Sequence, residues 1–135
     1  MSDYYVATYC IENSIRKLIR ETLAENIEDW WVKKVPETIQ AKAKEFQDHE
    51  RNTPLSRKSD DPLDYTMFKD LIEIIKDNWP EFSNRFTKNP TAIDQILFPL
   101  NELRNLIAHS GDLSELEIDR IQMLLRNWHE VQVRS

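Results

Sequence analysis

Apolar residues recur at helical spacing along most of the chain. Ile11, Ile15, Leu18, Ile19 and Thr22 share one face of a segment that predicts a long first helix from about Asp3 to Glu25. Pro36 suits the first turn of a second helix, which Ile39, Ala43 and Phe46 carry to about Arg51. The connection before it holds Trp30 and Trp31, which read as core anchors. From Asn52 to Pro62 two prolines stand among polar residues, so the longest surface loop is expected there; Arg57 and Lys58 read first as its solvated surface and second as a contact to RNA. A third helix is predicted from Leu63 to Asn78, with Met67, Leu71, Ile74 and Ile75 inward. Trp79-Pro80 ends it, because proline disfavours helix in the residue before it. Phe82 and Phe86 are expected on a short helical turn. A fourth helix begins near Pro90 behind an Asn89 cap, bends at Pro99 and runs to about His109, with Gly111 as its stop. Ser114 and Glu117 spell a capping box for a last helix whose Leu116, Ile121, Leu124, Leu125 and Trp128 point to the core.

Composition narrows the fold. The chain has 135 residues, 40% of them hydrophobic, which suits one domain over residues 1–135 with a single core. A single glycine disfavours sheets, whose turns usually need it, and the expectation is an all-α, up-and-down bundle of four to five helices. The sequence starts and stops close to its helices, as a domain within a longer chain would. One cysteine, Cys10, permits no internal disulfide, and the N-terminal segment has no uninterrupted apolar run. A reduced, cytoplasmic setting without a membrane follows as the expectation.

Charge and motif content exclude several chemistries. A net charge of -6 argues against a protein that coats nucleic acid by charge alone. A local basic groove remains open, and Arg16, Lys17 and Arg20 on the first helix could form one with Arg104; they could equally make a solvated face with Glu12 and Glu21. His49, His109 and His129 with one cysteine offer no zinc-ligand spacing, and one glycine allows no phosphate-cradling loop. No metal or nucleotide cofactor is expected. Asp48, His49 and Glu50 are consecutive, so they splay around a helix as charged surface.

The string LNELRNLIAHS, Leu100 to Ser110, breaks the apolar pattern. Turning about 100° per residue, Ile96, Leu97, Leu100, Leu103 and Ile107 gather on one arc of the fourth helix, and Arg104 falls inside it. A buried guanidinium is costly without a partner, so Arg104 meets a buried carboxylate such as Glu12 or Glu102, lines a groove, or faces another subunit. His109 could then do no more than cap the helix C-terminus, where its charge favours the dipole.

Arg104-Asn105 followed by His109, the position of this motif on the penultimate helix, a first helix bearing Glu12 and Arg16, and the pairs Trp30-Trp31 and Asn78-Trp79 resemble the HEPN superfamily. They are most similar to a subgroup found on a eukaryotic RNA-surveillance endonuclease and on many bacterial proteins. The resemblance covers nearly the whole chain. It implies a HEPN-like bundle and, as in many members, metal-independent cleavage of RNA to 2′,3′-cyclic phosphate ends, with Arg104, Asn105 and His109 catalytic and Arg16 and Arg20 binding RNA. It also implies a homodimer, because acid and base roles ask for two groups and one chain offers a single histidine here. Stress response, RNA quality control or phage defence would be the setting, with an antitoxin or regulatory protein as a further partner. HEPN toxins commonly carry a tyrosine two residues after the histidine; Gly111 stands there, so regulation through it is not expected. The alternative is a non-catalytic helical module that binds RNA or a partner protein.

Overall fold

The computed structural model describes residues 3–54, 59–110 and 112–133, with backbone alone for 3–5 and 110. Seven α-helices follow in order: α1 Asp3–Asn26, α2 Trp30–Lys34, α3 Glu37–Arg51, α4 Phe68–Asp77, α5 Trp79–Phe82, α6 Pro90–Ser110 and α7 Glu115–Val131. Five of them have ten residues or more, which gives the expected all-α bundle. Gly111, Arg57 and Lys58 lie outside the described residues.

Helix ends are written in side chains. Asn89 Oδ1 accepts from Ala92 N at 2.9 Å at the start of α6, and Ser114 and Glu117 close a reciprocal box at the start of α7. The buried Asn78 amide donates to Ile74 O and to Lys34 O, finishing α4 and fastening it to the end of α2.

One core runs through the bundle. Ile15, Ile19 and Leu23 of α1 meet Leu71, Ile74 and Ile75 of α4 and Leu97, Leu100, Leu103 and Ile107 of α6. Trp128 of α7 closes one end, with Phe86 tilted against it at 5.6 Å and Trp79 stacked on Phe86. Trp30 and Trp31 meet edge to face, partly buried against this core, and Trp30-Trp31 open the short α2 where sequence predicts only a connection.

Three expectations are corrected. The predicted third helix is two elements: a 3-10 turn, Pro62–Tyr65, breaks at Thr66 before α4 begins. The Thr66 hydroxyl bonds Leu63 O and its carbonyl accepts from Arg16, so both groups are drawn out of a continuous helical ladder. Met67 therefore sits at the entry of α4, 46% exposed. Leu116 is 78% exposed, because the first turn of α7 projects past the core that Ile121, Leu124 and Trp128 fill. α4 ends at Asp77 with Asn78 as its cap, where the sequence places the end, but Trp79 and Pro80 do not leave helix: Pro80 sits in the first turn of α5, where its missing N–H costs no bond.

Candidate functional site

Arg104 lies on α6 and its partner on α1. Its Nε donates to Glu12 Oε1 at 2.6 Å. The Glu12 side chain is 5% exposed and that of Arg104 33%, so the carboxylate is buried and the guanidinium reaches the surface. Of the three fates open to Arg104, the buried carboxylate is realised, with Glu12 in that role. Its Nη1 donates to Asn105 Oδ1 at 3.3 Å, joining two of the three motif residues. His109 is exposed in the last turn of the same helix.

Glu12 serves a second cation. Arg16 Nη2 lies 3.6 Å from Glu12 Oε2 and donates to Thr66 O at 2.7 Å, while Nη1 donates to Asn13 Oδ1 at 2.9 Å. Arg16 is buried, and burial lowers its guanidinium pKa from the usual arginine value against the raising influence of Glu12, Asp64 and Tyr9. The i, i+4 spacing of Glu12 and Arg16 sets both on one face of α1, turned toward α6 and the Thr66 turn. Two arginines share one carboxylate, so the cluster keeps one net positive charge.

Arg16 and Arg20, expected to bind RNA, are both placed on intramolecular partners. Arg20 Nε bonds Asp61 and its Nη2 bonds Asp64; burial alone would lower its pKa, but these two carboxylates outweigh that and raise it. Lys17 is exposed and pairs with Glu21 at 4.0 Å on the solvated side of α1. Asn13 and Thr66 belong to the cluster although no motif marks them. The i−3 spacing of Asn13 from Arg16 was its one sequence signal; Thr66 acts through its carbonyl, which no residue type reveals.

The helices α1 and α6 run antiparallel. Glu12 meets Arg104, while Glu25 near the other end of α1 accepts from Arg85 at 2.7 Å, just before the chain enters α6. Tyr9, 57% exposed, lies one turn before Glu12. A separate groove of about 500 Å³ is lined by Lys42, Lys69 and Lys76 against Asp70, Glu73 and Asp77, so its charges cancel; it shares none of the motif residues.

An all-helical bundle that presents Arg-Asn-x3-His at the surface end of its penultimate helix, braced from its first helix, defines a class of small helical domain. The family model described as Swt1-like HEPN matches residues 7–131, and the chain belongs to that family. Membership supports a nuclease-like or RNA-related role. No curated protein and no solved structure matches the chain. Among the described residues no helix is long and apolar enough to cross a membrane.

Proposed function

We propose that this protein is a metal-independent endoribonuclease of the cytoplasm that works as a homodimer. The observation that supports it best is the bracing of Arg104 by buried Glu12, which fixes the inner edge of the guanidinium and leaves its outer part at the surface beside Asn105. RNA supplies its own nucleophile. His109 takes the proton of a 2′-hydroxyl, that oxygen bonds to phosphorus, and the P–O5′ bond breaks as a proton is delivered to the departing oxygen. The products carry 2′,3′-cyclic phosphate and 5′-hydroxyl ends. Arg104 counters the charge that builds on the phosphate, and Asn105 orients the phosphate or the imidazole.

Five residues on a helix separate Arg104 from His109 by about 140° and roughly 7.5 Å of rise. A twofold axis relieves this, setting Arg104 of one protomer near His109 of its partner and bringing the second histidine that acid and base roles require. In this reading Arg16 positions Glu12, and Arg20 holds the 61–64 segment against α1. The setting is stress response, RNA quality control or phage defence, with an antitoxin or regulatory protein holding the enzyme in check.

The test is incubation with mixed RNA in excess EDTA, beside Arg104→Ala and His109→Ala. Cyclic-phosphate ends from wild type alone are expected; cleavage that survives both substitutions overturns the site. A second reading, a non-catalytic module binding RNA or a partner protein, draws on the same ion pair, since Arg104 is satisfied by Glu12 without substrate. Absence of cleavage by all three folded dimers favours it.

A further inference from the structure

Cleavage at a phosphate needs the flanking nucleotide to be held, and one exposed ring stands at the right height. On α1, Tyr9, Glu12, Asn13 and Arg16 occupy an arc of about 100°. Glu12 marks the level of Arg104. Tyr9 is three residues nearer the α1 N-terminus, about 4.5 Å along the axis, and because α6 runs the other way this level falls between Arg104 and His109. Its ring is more than half exposed, and among the described residues no other ring stacks on it.

Asn13 stands one turn further along the same face. Arg16 Nη1 donates to its Oδ1, which fixes the amide orientation. Its –NH₂ is thereby left as the group that an exposed side chain offers outward, a donor and not an acceptor.

We propose that Tyr9 and Asn13 form a seat for one unpaired nucleobase next to the cleaved phosphate, Tyr9 stacking on its face and Asn13 donating to a carbonyl at its edge. The substrate is therefore single-stranded RNA, since a paired base cannot be splayed onto the ring, and a base rich in carbonyls such as uracil is preferred to adenine, which has none. This inference rests on the ribonuclease reading.

The probe is a fluorescein-labelled 2′-O-methyl decauridylate, which lacks the nucleophile and stays intact, with the decaadenylate as its counterpart. Binding is followed by anisotropy, with molar mass by light scattering and cleavage of mixed RNA measured on the same samples. Tyr9→Ala is expected to weaken decauridylate binding about tenfold, Tyr9→Trp to retain it, and Asn13→Ala to erase the preference over decaadenylate, all at unchanged mass. Wild-type binding and cleavage with Tyr9→Ala equal to wild type overturns the seat alone. A fall in mass for Tyr9→Ala assigns the ring to a protein interface and also overturns it. Wild type that neither binds nor cleaves overturns the seat and the ribonuclease reading together.

Discussion

Arg104 Nε donates to Glu12 Oε1 at 2.6 Å across 92 residues of sequence, so the motif on α6 is held in place from α1. Removing the carboxylate leaves Arg16 buried without its counter-charge. Breaking a buried pair costs about 3–5 kcal/mol, and the exposure of Arg104 with the remaining bonds of Arg16 reduces this, so Glu12→Ala is expected to cost about 2–3 kcal/mol in urea denaturation. Glu12→Gln keeps the shape and loses the charge; cleavage is expected to fall on the order of tenfold to a hundredfold through misplacement of Arg104. Full activity in Glu12→Gln would show that the brace is structural only.

A composite site can be split between chains. Arg104→Ala and His109→Ala are each expected to lower the cleavage rate by about 10²-fold or more. If one groove takes a histidine from each protomer, one as acid and one as base, a dimer of one wild-type and one His109→Ala chain lacks half of that pair and is inactive. Random exchange of equal amounts of the two chains then leaves wild-type activity in about a quarter of the dimers. Activity that falls only by half after verified subunit exchange would place a working site on one chain.

The start of α7 is acid-sensitive by design of its cap. The Ser114 backbone N–H, and then its hydroxyl, hold the Glu117 carboxyl below its usual value of 4.5. A folded-state pKa below the unfolded one stabilises above the unfolded value, and this contribution is lost as pH falls through the folded value. Amide protection in the first turn of α7, taken against the intrinsic exchange rate at each pH, is expected to fall below about pH 4.5. Glu117→Gln should remove that pH dependence, whereas Ser114→Ala, which keeps the backbone N–H, should only weaken it and cost about 1 kcal/mol at neutral pH.

Trp128 and Leu116 are both apolar residues of α7 and differ in burial. Trp128 is 2% exposed and packs on Phe86, so Trp128→Ala is expected to cost about 3–5 kcal/mol by thermal unfolding. Leu116→Lys should change stability by less than about 0.5 kcal/mol. A large loss for Leu116→Lys would mean that this side chain is covered in solution.

Where local chemistry decides an element, the sequence suffices. Asn89 before Pro90 and the Ser114-Glu117 pair place the starts of α6 and α7 because caps act within four residues. Spacing alone turns Met67 inward, whereas the break at Thr66 is set by Arg16, fifty residues away, and periodicity carries no record of that bond. Leu116 fits the spacing of a core position, but α7 overruns the core by a turn. At the site, Arg104 is conspicuous as a charge on an apolar arc, and Glu12 could be named as a partner without being distinguished from Glu102. The burial of Arg16 was hidden: a basic residue beside Lys17 and Arg20 reads as surface, and its α1 face is decided by what packs across from it.

The single glycine has a consequence at the level of the unfolded chain. Many helices end on glycine, which any backbone state suits, and that freedom must be surrendered at every folding event. Here Asn78, Asn89 and the Ser114-Glu117 pair mark boundaries with bonds. The denatured ensemble is correspondingly narrower, and less disorder is lost on folding. At Asn89 and Ser114 the boundary is also a separate, erasable instruction: changing that side chain frays one helix, and the neighbouring elements keep their own stops.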